Sequence, residues 1–386
     1  MDINEYVDQL NSVKIVSTLK RHLLLMLSAS KRNDVLKAKQ STIRLEQSLE
    51  LVRNLMCGNF FTESAKVIFD HFQLEREMVE QDVIGLFMAN LDRLSICIGR
   101  HLIQIFEHLI HNFSYQTSRP MVEVLNRHEY LLQHTCRLLK HENDLISSMA
   151  EQILVQCCRY NVLSCKLIDM RDTNHSNLGT PAYIDLLHSM ENSCNPCRMI
   201  SKFRFLTALL QTHDEIAIYA VNRDLHQLTD AFNRLLMGKC HHLIRFKCLL
   251  LFSDLIQNRK LQKLLSSYTS NMDNFKLFYD WLLQLQPNAN EFKQECIKTF
   301  EVFRLFLLNP NNLKNELFKT FCMENYLSLS SIIERAEKVR SYSDLALMFP
   351  EYNDVRERLM EMADKVDKTK TKARGGSRRL PSTISI

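Results

Sequence analysis

Apolar residues return every three or four positions along nearly the whole chain, the spacing of a single buried stripe on an α-helix. Leu45, Leu49, Val52, Leu55 and Met56 form one such stripe, Leu131, Leu132, Thr135, Leu138 and Leu139 another, and Ile297, Phe300, Phe303, Leu307 and Leu308 a third. Leu249–Phe252 and Phe303–Leu308 are apolar on more than one side, which suits helices sandwiched between neighbours. Helix boundaries fall at Ser118-Arg119-Pro120, at Asn143 or Asp144, at Gly179-Thr180-Pro181, at Asn195-Pro196, at Gly238, at Asn309-Pro310 and at Pro350. Together these signals predict helices over 12–29, 41–57, 62–89, 93–113, 121–140, 144–159, 162–170, 181–190, 196–213, 223–237, 241–258, 260–267, 272–286, 289–308, 311–320 and 322–340, with a fragment at 351–365. From about residue 120 the helices recur in groups every 40–50 residues, the period of armadillo or HEAT units. The expected fold is all-α, an armadillo/HEAT-like right-handed helical-repeat solenoid. On periodicity alone, a large irregular helical bundle stays open as the alternative.

Composition narrows this picture. The chain has 386 residues and only seven glycines, two of them (Gly375 and Gly376) close to its end. So few glycines argue against a β-rich barrel or a dinucleotide-binding sheet, both of which need glycine at tight turns. The net charge is +5, yet residues 365–386 alone carry +6 and the preceding 364 sum to −1. A nucleic-acid binder would hold its excess charge on the folded body, so no nucleic-acid partner is expected. The domain expectation is one helical-repeat domain over 1–364, with a divergent N-terminal cap at about 1–115, repeats at about 116–340 and a C-terminal helix at about 351–364. Residues 365–386 read as a disordered basic tail.

Twelve cysteines sit mostly at apolar-face positions and read as buried thiols of a reducing compartment. The acidic, polar start and the lack of a long apolar run predict neither a secretory leader nor an integral membrane segment. Catalytic signatures are equally scarce. The sequence contains no glycine-rich phosphate loop, no HExxH and no EF-hand loop. Cys194-Asn195-Pro196-Cys197 has metal-ligand spacing but lacks a second pair, so its thiols read as structural. His241-His242 is expected to point to different sides of a helix and to share no metal. No enzyme, no metal and no cofactor are expected.

Several blocks carry a family likeness. Thr117-Ser118-Arg119-Pro120-Met121-Val122-Glu123, then His141-Glu142 and Cys158-Arg159, resemble a Thr-Arg-x-Pro-Thr-Val-Glu entry followed by a repeat ending in Cys-Ile-Arg. Phe203–His213, with Leu209-Leu210 and His213, is similar to a Phe-Lys-Asp-Leu-Leu-x-x-His helix. The most specific block, Thr299-Phe300-Glu301-Val302-Phe303-Arg304-Leu305-Phe306-Leu307-Leu308-Asn309-Pro310-Asn311, resembles a Phe-Glu-x-x-x-x-Phe-Lys-x-Phe-x-x-Asn-Pro-Asn stretch. The chain thus resembles the mouse protein-twenty-five family of kinase scaffolds, also called calcium-binding protein 39, thinly before residue 115 and well after 200.

That resemblance implies a non-catalytic scaffold whose concave face cups a Ste20-type protein kinase or related pseudokinase and favours its active arrangement. A separate pocket would take a Trp-Glu-Phe-like peptide from the pseudokinase tail. Carried over residue by residue, the kinase-facing positions are Phe203, His241 and Arg245, and the peptide pocket is Arg259, Phe275, Lys276 and Tyr279. Two of these depart from the family pattern, His241 replacing a tyrosine and Tyr279 a methionine. The free protein is expected to be monomeric and cytoplasmic, with cytoskeletal structures or the cell cortex as sites of action. A general helical-repeat adaptor without kinase activation is the competing expectation.

Overall fold

The computed structural model describes residues 11–56, 71–111, 120–171, 180–191, 195–238, 241–285, 293–329 and 331–332. The expected C-terminal helix, the basic tail, Cys194 and the side chain of Cys197 lie outside the described residues. Packing divides the chain into two compact units where the sequence suggests one continuous domain. Unit 1 is Met1–Arg223 with Lys239–Ile244, and unit 2 is Asp224–Gly238 with Arg245–Ile386.

In unit 1, Asn11 caps α1 (Ser12–Lys31) by accepting from the backbone N–H groups of Val13 and Lys14. Val16, Leu19, Leu23, Met26 and Leu27 of α1 are buried, as are Leu45, Leu49, Val52 and Leu55 of α2 (Val35–Met56), and the two helices pack as a hairpin. Next come α3 (His71–Glu80), α4 (Val83–Met88), a 3-10 turn at Leu91–Arg93 and α5 (Ile96–His111). They are followed by α6 (Pro120–Arg127), α7 (Glu129–Leu138), α8 (Asp144–Cys157), α9 (Asn161–Asp169), α10 (Ala182–His188) and α11 (Pro196–Gln211). α2 packs on α5, α5 on α8 and α8 on α11, so every third of the described helices is a layer neighbour. Such stacking is what a repeat needs when its own helices cannot cover their apolar faces.

Polar stitches recur at the same interval. Gln156 donates to Glu107 at 2.8 Å and pairs with His111 at 2.7 Å, while Arg198 and Asn195 both reach Asp144. These partners are 45 to 54 residues apart, one repeat length. Close approach of the layers is clearest at Gly99 on α5, where an added Cβ would lie 1.9 Å from the sulfur of the buried Met149 on α8. Gly99→Val should therefore cost about 1–3 kcal/mol through overpacking, read as a lowered thermal midpoint. An unchanged or raised midpoint would mean that Met149 has room to move aside.

The kinked α12 (Asp214–Met237) passes into unit 2 at Asp224, whose φ of −119° and ψ of 22° are not helical. α13 (His242–Gln257), α14 (Gln262–Thr269), α15 (Met272–Gln284), α16 (Lys293–Leu308), a 3-10 turn at Asn312–Lys314 and α17 (Glu316–Glu324) follow. The second unit is rich in rings: Phe232, Phe252, Tyr268, Phe275, Phe278, Phe303, Phe306 and Phe318 are all fully buried. Buried asparagines hold its turns, with Asn312 donating to the carbonyls of Thr269 and Phe306 at 2.7 and 2.9 Å. The all-α helical-repeat class holds within each unit, and the described residues contain no strand beyond an isolated bridge between Arg171 and Pro181.

Local geometry corrects several boundaries. The described part of the helix expected over 62–89 breaks at Asp82, whose φ of 50° is left-handed. Gly85 makes that turn feasible, since a Cβ there would meet the Asp82 carboxylate at 2.1 Å. The helix expected over 121–140 breaks at His128, with φ −105° and ψ 62°. The second helix begins at Val35 and not at residue 41; the helix expected over 223–237 matches the part of α12 after the Asp224 kink, and the helical stretch from Asp214 up to that kink was not expected. After Pro310 the chain turns through Asn312–Lys314 before Asn315 caps α17, so the helix expected over 311–320 is displaced.

Candidate partner-binding sites

One candidate site lies within unit 2, where the last turn of α12 meets α13 and α15. Arg245, one turn into α13, lays its guanidinium carbon 5.6 Å from the ring centroid of Trp281 on α15. Leu277 and Trp281, four residues apart, share a helix face, and both line the pocket with Arg245. The pocket measures about 200 Å³ and is completed by Leu236, Met237, Asp280 and Gln284. Trp281 is buried but Met237 is 63% exposed, so the site opens to solvent beside an apolar lip.

Arg245 Nε is buried and makes no hydrogen bond. Asp280 lines the same pocket without forming an ion pair with Arg245 among the described residues. A buried N–H without an acceptor costs on the order of 1–3 kcal/mol. The arrangement offers a cation held by ring stacking, an unused donor and an apolar floor, a combination suited to recognition and lacking any nucleophile–base pair.

The other kinase-facing candidates belong to unit 1. Phe203 is 4% exposed and sits in the core as part of α11, so its ring packs the fold and presents no free face. His241 is exposed and stands just before α13, where its Nδ1 lies 3.3 Å from the Leu243 N–H. Because His241 precedes the helix, its ring lies beside that of His242, centroids 4.5 Å apart, instead of pointing away as expected.

Three of the four peptide-pocket candidates converge on one ring, that of Phe321 on α17. Lys276 Nζ lies 5.9 Å above it, while Phe275 and Tyr279 meet it edge-on at 5.6 and 5.2 Å. Phe275 is completely buried and Tyr279 is 5% exposed, its hydroxyl donating to Asn325 Oδ1 at 3.2 Å. Their rings are therefore already occupied by the protein's own α17. Lys276 is exposed. Arg259 is also exposed, on the turn after α13, and no ion pair, hydrogen bond or ring contact joins it to the other three among the described residues.

A model of the family described as Mo25-like matches residues 6–323. The chain belongs to the Mo25-like family. It is 21% identical over 332 residues to a human protein named calcium-binding protein 39-like, covering 86% of this chain and 89% of that protein. A mouse protein of the same name is 22% identical over the same coverage. This is the family that the Phe300–Asn311 block resembles, and it places the chain among helical-repeat scaffolds.

Within this Mo25-like chain the cysteines follow burial. The Cys136 and Cys322 thiols are each pushed up to about 12 by burial, and Cys157 and Cys158 are raised by the same cause, so none is poised as a thiolate nucleophile. No group of His, Cys, Asp or Glu able to hold a metal occurs among the described residues, and no helix there is long and apolar enough to cross a membrane. Sequence reasoning missed Trp281, Asp280 and Phe321. The available signal was Trp281 itself, the only tryptophan in the chain, on the same helix as Lys276 and Tyr279.

Proposed function

We propose that this Mo25-like chain is a non-catalytic scaffold that binds a Ste20-type protein kinase, alone or with a pseudokinase, and favours its active conformation. The observation that carries the reading is the Arg245 guanidinium, placed against Trp281 in the wall of a pocket that opens to solvent. Arginine and tryptophan dominate binding hot spots because they combine large area with directional polar contact. The scaffold would act by binding one kinase conformer more tightly than another, shifting its population with no chemistry of its own. Its place of action would be the cytoplasm.

The peptide role is proposed in a narrower form. Arg259 and Lys276 supply exposed counter-charge for an acidic peptide, whereas Phe275 and Tyr279 act as internal support for α17. The same internal use of those rings favours, as a second reading, an adaptor that assembles partners without activating a kinase.

Affinity capture from cell extract with wild-type protein, Arg245→Ala and Trp281→Phe, each followed by kinase assay, tests the proposal. We expect wild type to recover a Ste20-like kinase and raise its activity. Arg245→Ala should weaken capture by at least about tenfold while leaving the melting temperature unchanged. Capture without stimulation would support the adaptor reading; capture indifferent to Arg245 would remove the pocket from either.

A further inference from the structure

We propose that the α1–α2 hairpin of unit 1 docks on an anionic phospholipid surface, inserting Val35 and Leu36 between headgroups whose charge Lys31, Arg32, Lys37 and Lys39 neutralise. The tip of the hairpin is an ordered turn. Asp34 N–H donates to the Ala29 carbonyl at 3.1 Å, Asn33 takes a left-handed φ of 55°, and the Asp34 carboxylate accepts from the Lys37 N–H at 3.1 Å. On this built turn Val35 and Leu36 are each 76% exposed, the two most exposed large apolar side chains among the described residues of unit 1. Adjacent aliphatic residues held this far into water mark an interaction site and serve no packing role.

Charge identifies what covers them. Lys31, Arg32, Lys37 and Lys39 are all exposed, against a single nearby carboxylate, Asp34, which pairs with Lys37 at 3.3 Å. Over residues 11–56 nine Lys and Arg face three Asp and Glu, a net of +6. Since the first 364 residues sum to −1, the rest of that body carries −7, opposite in sign to the hairpin. The pattern continues away from the tip, with Leu24 and Leu25 on α1 and Ile43 on α2 exposed by 46–48% beside Arg21 and Arg44.

Cations ringed around inserted aliphatic chains match a headgroup layer over acyl chains, where basic residues meet anionic lipid and the apolar tip enters the boundary. A polyanion such as nucleic acid would use the cations and leave the aliphatic pair without purpose. Residues 11–56 also contain no Phe, Tyr or Trp on which bases could stack.

Flotation of the full-length chain with vesicles of phosphatidylcholine, with and without phosphatidylserine, tests the proposal. Wild type should bind only the phosphatidylserine vesicles and release in high salt. The double substitution Val35→Asp/Leu36→Asp and the triple Lys31→Glu/Lys37→Glu/Lys39→Glu should each cut binding by at least about tenfold. All these side chains are exposed, so unchanged melting curves will confirm that the variants fold. Three results would overturn the idea: no binding by wild type, undiminished binding by the Val35/Leu36 variant, or loss confined to the lysine variant with equal affinity for heparin. The second outcome would assign membrane binding to another surface, such as the basic segment after residue 364.

Discussion

Phe275→Ala should destabilise the protein by about 3–5 kcal/mol, measured as a shifted denaturant midpoint for the transition reporting Trp281 fluorescence. The ring has no solvent exposure and is stacked on Phe303 at 5.1 Å, with Phe318 at 4.7 Å, Phe321 at 5.6 Å and Phe306 at 5.7 Å. Removing it opens a cavity walled by four other rings on α16 and α17, which cannot collapse without moving two helices. Phe275→Leu should recover more than half of the loss by refilling most of the volume. Lys276→Ala, one position away on the exposed side, should change stability by less than about 0.5 kcal/mol. The comparison separates two roles for adjacent residues that family likeness assigns to one pocket. If Phe275→Ala cost under about 1 kcal/mol and instead weakened peptide binding, the ring would be a binding wall after all.

Lys202→Met should stabilise the protein near neutral pH by on the order of 2–3 kcal/mol, with the advantage shrinking as pH rises. Lys202 on α11 is 4% exposed, and its ammonium donates to Ser189 Oγ at 2.9 Å. Burial, helped by the nearby Lys140 and Arg198 cations and opposed by Asp185, lowers its pKa from 10.5 to about 8. A depressed folded-state value means that the unfolded chain holds the proton more tightly. Its contribution to stability is therefore fully present above pH 10.5, grows between about 8 and 10.5, and is lost as pH falls through 8. At pH 7 the folded state holds a charged lysine in its core, which methionine of similar length would avoid. The measurement is the difference in unfolding free energy between variant and wild type from pH 7 to 10.5, a difference in which other titrating groups cancel. A pH-independent difference would show that Lys202 reaches water in the folded state.

The helices were legible because their causes are local. A 3.6-residue apolar stripe, proline at Pro120 and Pro196, and asparagine caps such as Asn143 act within one or two turns, and the structure uses each of them. The repeat period was legible for a related reason: layers must bury similar faces, so similar stripes return after 45 to 54 residues, and the stitching hydrogen bonds follow that interval. Breaks were less so. Asp82 and His128 interrupt apolar stripes that continue on either side, because a left-handed or bridging residue changes direction without changing which side chains are buried.

The candidate site divides along the same line. Arg245 was legible only through family likeness; on its own, a cation on an apolar helix reads as a solvated surface charge. Its partner Trp281 lies 36 positions further on, and nothing in local spacing says that the two stack. Phe203, Phe275 and Tyr279 illustrate the opposite limit: an aromatic on a helix surface and an aromatic in a helix core obey the same spacing, and only the neighbouring helix decides between them. For Phe275 and Tyr279 that neighbour is α17, which carries Phe321. From its sequence alone this chain is a stack of helices with a basic C-terminal segment and a family-typed scaffold surface. Which rings face inward, and which arginine is left with an unanswered donor, is decided by tertiary packing, because burial is set by residues far away in the chain.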